Sequence, residues 1–241
     1  MTTDGKSGNR ASDAEIARSR RRLFNEIAGR YELLNTLMSA GRHRAWRNRA
    51  LRELAPVAGE KALDLCGGTG DFSKLFREKA GIALDDLVVA DISEGMLRKG
   101  SPRFPGRGVQ ADACALPLRG ASFDVVVNGF GMRNLPDAQL GAREVLRVLK
   151  PGGRVLFLDF FRPDTAFTKF FYYGIGAAII RLAGLLFRRN DHYAHLLRSL
   201  RGFLTTGEFE AMLAGVGFAE TKVVPLDFGV AHAVFARRPA E

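Results

Sequence analysis

Cysteine is nearly missing from this chain, with two in 241 residues, and histidine is almost as scarce, with four. Cys66 and Cys114 are too few for a disulfide framework, so a reducing cytoplasm is expected. No histidine lies near Cys66 in sequence, which argues against a catalytic thiol. His192 and His195 stand three apart after Asp191, but no cysteine or third carboxylate accompanies them. No metal site is expected, and a structural or substrate-facing role suits them better. The first residues lack the apolar core of a secretory signal. Internal repeats are missing, as are helix-turn-helix, RNA-recognition and zinc-finger patterns. The longest apolar run, Phe170–Phe187 (FFYYGIGAAIIRLAGLLF), is interrupted by Arg181, Gly174, Gly176 and Gly184. A membrane span wants roughly 20 apolar residues with few charges, so this run reads as a buried or interfacial helix.

Acidic residues are outnumbered, leaving a net charge of +10. Arg18, Arg20, Arg21, Arg22 and Arg30 crowd one N-terminal segment, and Arg42, Arg44, Arg47, Arg49 and Arg52 the next. Such a surface suits an anionic bilayer or nucleic acid, or is simply solvated. A hydrophobic content of 46% supports a sizeable core. Residues 1–22 read as a disordered or basic helical extension. Residues 23–241 read as a single domain, with a helical cover at about 161–204.

Glycine, by contrast, is concentrated where it matters. Lys61–Asp71 (KALDLCGGTGD) runs an apolar strand into Gly67, Gly68 and Gly70, with a helix opening at Asp71. Val88–Ser93 (VVADIS) is a second apolar run ending in Asp91. Glycines after a strand let backbone approach a ligand, and an acid at the next strand tip can accept both hydroxyls of a ribose. A dinucleotide site would want a third glycine where Ser73 stands, and Asp71 puts negative charge where a pyrophosphate would sit. S-adenosylmethionine, with a ribose and a sulfonium but no phosphate, fits this pattern. Asp64, on the strand before the glycines, either orients the loop or meets a cationic amino group. The plainer reading is that Asp64 and Asp91 only cap loops.

The order of elements decides for a ligand site. After a helix at Ser93–Lys99, Gly108–Ala111 reads as a third strand carrying Asp112. Ser122–Phe130 reads as a buried fourth strand and Asp137–Leu149 as an amphipathic helix. Lys150-Pro151-Gly152-Gly153 stops that helix, and Arg154–Phe160 is a fifth strand. Strands alternating with helices predict an α/β, doubly wound, mostly parallel sheet with ligands at the carboxyl ends of its strands. Asp64, Asp91, Asp112 and Gly129 then converge on one crevice.

The chain resembles the ubiquinone/menaquinone-biosynthesis C-methyltransferase family, among the class I S-adenosylmethionine-dependent methyltransferases. Tyr31–Trp46 (YELLNTLMSAGRHRAW), Gly129–Asp137 (GFGMRNLPD) and Arg147–Gly153 (RVLKPGG) carry the resemblance, which covers Phe24 to Arg237. It implies a seven-stranded Rossmann-like sheet with an N-terminal helical extension and a helical insertion after strand five. It also implies S-adenosylmethionine contacts from Thr69, Asp91, Asp112, Ala113 and Gly129. With the glycine-loop reading, the cofactor set becomes Asp64, Gly68, Thr69, Gly70, Asp91, Ile92, Asp112, Ala113 and Gly129.

The implied reaction is methylation of a polyprenyl quinol ring carbon. Demethylmenaquinol is favoured over 2-polyprenyl-6-methoxy-1,4-benzoquinol, with RNA methylation and a silent cofactor-binding protein as rivals. Arg133 and Asn134 are placed to stabilise a developing phenolate, unless Arg133 only pairs with Asp137 to steady the loop. His43 and Tyr31 are further candidates for proton handling. Peripheral contact with anionic membrane from the cytoplasm is expected, nucleic acid is not, and a homodimer is left open. The chain departs from the family at Glu32 and Leu34, and has Asp159-Phe160-Phe161 where Glu-Phe-Ser is usual. His195 stands where a tyrosine is frequent, and a proline is missing near Leu197. The last three departures are assigned to a substrate lid.

Overall fold

The computed structural model describes residues 41–170, 172, 174 and 201–241, with 21, 22, 25, 36 and 39. Helix α1 (His43–Leu54) precedes β1 (Ala62–Leu65), α2 (Asp71–Ala80), β2 (Leu87–Asp91), α3 (Glu94–Gly100) and β3 (Gly108–Gln110). Then follow β4 (Phe123–Gly129), α4 (Ala138–Val148), β5 (Leu149–Asp159) and α5 (Ala166–Phe170). Helix α6 (Thr206–Val216), β6 (Ala219–Leu226) and β7 (Ala231–Arg237) close the chain. The seven strands lie in the order β3-β2-β1-β4-β5-β7-β6. Only β7 runs against its neighbours, β5 and β6.

Alternation along the strands feeds two cores. Leu63, Leu65, Val126, Val155 and Phe157 face α4 and α6, burying Val145, Val148, Phe209 and Leu213. Ala62, Val125, Val127, Leu156 and Leu158 face α1 and α2, burying Trp46, Leu51, Phe72 and Phe76. Both faces of a parallel sheet are thereby covered, which explains strands that are apolar nearly throughout. Caps set the helix starts. Ser93 accepts from the Met96 amide, Asp137 from the Gln139 and Leu140 amides, and Thr205 forms a capping box with Glu208.

Most boundaries shift by a single residue from the sequence reading, and one moves further. The fifth strand begins at Leu149, not Arg154, because Leu149 pairs with Phe123 across a register shift. Lys150 Nζ then bonds the Asp124 carboxylate at 2.7 and 2.8 Å, absorbing the Pro-Gly-Gly stretch into the strand's irregular start. The third strand ends at Gln110, one residue early. Most of the expected cover, 171, 173 and 175–200, lies outside the described residues, with His192 and His195. Among the described residues no helix is long and apolar enough to cross a membrane.

Candidate active site

The chain winds from β1 outward to β3, then returns to place β4 on the other side of β1. That reversal opens a crevice beyond the carboxyl ends of β1 and β4. The cleft there encloses about 670 Å³ counted to its open mouth. Gly68, Asp91, Ile92, Asp112, Ala113 and Gly129 line it, with Asn134. Asp91 Oδ2 accepts from the Gly68 amide at 2.9 Å, and Oδ1 from the Ser93 amide at 2.8 Å. Each oxygen keeps acceptor capacity for a further donor. Burial pushes this carboxyl up to about 6, against the pull of the two amides. Asp112 Oδ1 accepts from the Cys114 amide at 2.9 Å.

The glycines divide by role. A Cβ on Gly68 would meet nothing closer than 3.6 Å, so its positive φ of +54° is what favours glycine. A Cβ on Gly70 would fall 2.5 Å from the Phe104 ring, and one on Gly129 2.7 Å from Phe72. Those two are packing requirements, and Gly70 does not line the cleft. Thr69 is buried with its hydroxyl unpartnered among the described residues. Asp64 alternates to the α2 side, where Oδ2 accepts from the Ser73 amide at 2.8 Å and its hydroxyl at 2.6 Å. Of the two roles open to Asp64, the structure shows loop orientation. Burial raises it to about 7. The serine in place of a third glycine is therefore its partner.

At the other end of the crevice, Asn128 is buried and folds the chain back. Its amide donates to the Leu65 carbonyl at 3.1 Å, and its oxygen accepts from the Gly131 and Met132 amides at 3.2 and 3.0 Å. Phe130 sits in between at a φ of +63°, an outlier for an aromatic residue. Its carbonyl accepts from Arg133 Nη1 at 2.9 Å and Asn134 Nδ2 at 3.0 Å. Arg133 ion-pairs with Asp159, whose Oδ2 also takes the Arg133 amide at 3.2 Å. Burial raises the Asp159 carboxyl, with Arg133 opposing. The Arg133 guanidinium lies 5.8 Å from the Phe130 ring centre and 5.4 Å from that of Phe160.

Helix α1 supplies the facing wall. Trp46 packs 6.4 Å from Phe130 and 5.9 Å from Phe160. Buried Arg47 sets its guanidinium 5.1 Å from the Phe130 ring centre and 3.2 Å from the Asp71 carboxylate. Arg47 also donates to His43 Nδ1 at 2.7 Å. A guanidinium is always a donor, so Nδ1 is an acceptor and His43 is held neutral. Phe130 is thus flanked by two guanidinium groups, each with an Nε unpartnered among the described residues.

Residues 12–238 match the model of the ubiE/COQ5 methyltransferase family. The chain belongs to that family. It is 36% identical over 214 residues to the ubiquinone/menaquinone biosynthesis C-methyltransferase UbiE of Azotobacter vinelandii, covering 86% of this chain and 84% of that one. Against the Stenotrophomonas maltophilia UbiE it is 37% identical over 216 residues, covering 86% and 85%. An S-adenosylmethionine-dependent methyltransferase structure from Thermotoga maritima shares the fold, with a TM-score of 0.67 at 18% identity over 90% of this chain and 99% of that one. The chain is a C-methyltransferase that uses S-adenosylmethionine.

The residues present fit that methyl donor. A buried two-oxygen acceptor at the tip of β2 and the Asp112 carboxylate just past β3 give the cleft acids that suit ribose hydroxyls and disfavour phosphate, while Thr69 stands outside its lining. For this methyltransferase the sequence reading needs three corrections. Arg133 pairs with Asp159, since Asp137 is spent capping α4. Asp159 is the last residue of β5 and fully buried, not part of a lid. Arg47 belongs to the interior, not the basic face. His43 stands behind Arg47, and Tyr31 lies outside the described residues. Sequence reasoning missed Asn128, Phe130 and Asn25, whose side-chain oxygen takes the Gly95 amide at 3.0 Å beside Asp91's loop.

Proposed function

We propose that this C-methyltransferase acts on the ring carbon of a polyprenyl quinol, with demethylmenaquinol as the preferred acceptor and the methoxy-benzoquinol as the alternative. One observation carries the reading. A cluster of Trp46, Phe130, Phe160 and Tyr172, its rings tilted or edge-on to one another, meets the cofactor cleft at Phe130, and two guanidinium groups lie against the Phe130 ring. Aromatic rings favour a flat aromatic acceptor, and cations favour the anion that makes its carbon nucleophilic. The fused second ring of a naphthoquinol adds apolar area for such a cluster to contact, which supports the preference. The names of the relatives, which cite both quinones, agree with the reaction type.

S-adenosylmethionine supplies an activated methyl carbon; the chain's residues align the acceptor and tune its charge. Loss of the quinol hydroxyl proton gives a phenolate, whose electrons raise density at the ring carbon. With the methyl donor bound, that carbon's electron pair would form the new C–C bond, the C–S pair would leave with a neutral thioether, and the ring proton would pass to solvent to restore aromaticity. Arg133 and Asn134, at the tip of β4, take the phenolate side. The charges of Arg133 and Arg47 are balanced by Asp159 and Asp71, so the contribution of each is directional hydrogen bonding.

The test offers the purified protein a short-tail demethylmenaquinol, reduced or oxidised, and reads methylation by mass spectrometry. The quinol should be methylated and the quinone should not, because only the quinol forms the activating phenolate. Equal turnover of both would refute the mechanism. In cells lacking the gene, demethylmenaquinone should accumulate; accumulation of the methoxy-benzoquinone instead would assign the alternative acceptor.

A further inference from the structure

Four large apolar side chains are exposed among the described residues, and the two aromatic ones share one corner. Phe228 is 88% exposed and Phe170 is 67% exposed. Phe228 tips the turn between β6 and β7. Because β5 and β6 both oppose β7, that turn lies on the same edge as Asp159, where the crevice opens. Helix α5, which ends at Phe170, packs there too. Thr168 Cγ2 lies 3.4 Å from where a Gly229 Cβ would stand, and the Tyr172 hydroxyl donates to the Val230 carbonyl.

The turn is held in an unfavourable shape. Asp227, Phe228 and Gly229 have φ of +43°, +59° and +86°, three left-handed residues in a row with a phenyl ring on the middle one. Asp227 anchors it, accepting from Arg42 Nε and Nη2 at 2.6 Å each and from Trp46 Nε1 at 2.7 Å. Arg49 adds positive charge beside Asp227, and Lys169 is exposed next to Phe170. Among the described residues the acids on this rim are Asp227, already bonded, and exposed Asp164.

We propose that Phe228 and Phe170, flanked by Arg42, Arg49 and Lys169, form a docking surface for an anionic bilayer at the mouth of the crevice. The inference rests on the polyprenyl quinol reading, since a lipid-borne acceptor must reach this edge from the membrane. Aromatic rings settle at the headgroup level, and cations on a chain of net charge +10 favour anionic lipid. Phe228, at the tip of that turn, is the most exposed of the four large apolar side chains.

Phe228→Gly tests this without endangering the fold, because glycine accepts the turn's φ. Wild type should co-sediment with phosphatidylcholine vesicles containing phosphatidylglycerol, less at high salt, and poorly with phosphatidylcholine alone. Phe228→Gly should bind the anionic vesicles about fivefold more weakly or worse, with a melting temperature at or above wild type. It should methylate a short-tail quinol in solution at the wild-type rate but a vesicle-embedded long-tail quinol more slowly. Unchanged vesicle affinity in Phe228→Gly overturns the proposal. So does failure of wild type to bind vesicles, even if it captures a protein partner through this face. If vesicle binding depends on Phe228 but no quinol is methylated, the substrate reading fails while the docking surface stands.

Discussion

The two ends of the crevice are built by different means. The cofactor end uses backbone amides: Asp91 is fixed by that of Ser93, two residues ahead, and by that of Gly68 after the neighbouring strand. Among the described residues no cation pairs with its charge, and burial pushes its carboxyl up. The acceptor end uses charge and aromatic packing between side chains. Arg133 meets Asp159, Arg47 meets Asp71 and His43, and Phe130 lies between the two guanidiniums. A neutral, phosphate-free nucleoside can be held by dipoles and one carboxylate, whereas a reaction that develops an anion calls for cations nearby.

The sharpest way to break that comparison is Asp159→Ala. A guanidinium cannot shed its proton, so the variant buries an uncompensated cation and should lose about 3–5 kcal/mol in urea unfolding. Arg133→Met removes the other partner, but Asp159, already raised by burial, can protonate. This variant should therefore stay folded while kcat falls about 10²–10³, roughly 2.7–4 kcal/mol in the barrier. Lysine should restore part of the rate, and S-adenosylmethionine affinity should stay near wild type. Normal turnover in a folded Arg133→Met would move the search to Arg47 and His43.

At the cofactor end, Asp91→Ala should weaken S-adenosylmethionine binding by at least tenfold in calorimetry, since each charge-assisted hydrogen bond contributes about 1.5–3 kcal/mol. Unchanged affinity would dissolve the distinction between the two ends. The smallest effect is one of pH. Asp91, raised to about 6, must be ionised to accept two hydroxyls, so affinity should drop about tenfold from pH 7.5 to pH 5. Stability without cofactor should move the opposite way. Asp64 and Asp91 hold protons in the fold up to about 7 and 6, which the unfolded chain releases near 3.8. Their favourable contribution is therefore present at low pH and is lost as pH rises through that window. Asp91→Ala should lose its share of both trends.

The same division explains what could be read in advance. Asp91, Asp112 and Gly129 stand at the ends of short apolar runs, so strand order brings them to one crevice; Asp64, expected with them, turns instead to Ser73 on the α2 side. Arg47 was misplaced on the basic surface although a signal existed. His43, Trp46, Arg47, Ala50, Leu51 and Leu54 follow the three-and-four spacing of a buried helix stripe, and an arginine inside it is an interior cation. Asp159 was taken for part of a lid, yet it ends its strand as Asp64 and Asp91 nearly end theirs. In both cases an unusual motif drew more weight than the periodicity around it.

Periodicity and glycine placement by themselves determined the doubly wound sheet, the crevice at its carboxyl edge and a cleft suited to a nucleoside without phosphate, because strand length, alternation and turn chemistry are local properties of the chain. Tertiary structure alone decided which charges meet. Arg42 and Asp227 are 185 residues apart and Arg133 and Asp159 are 26 apart. No sequence period links such positions; only the return of β4 beside β1, the antiparallel β7 and the packing of α1 across the sheet bring each cation to its acid and leave Phe130 between two of them.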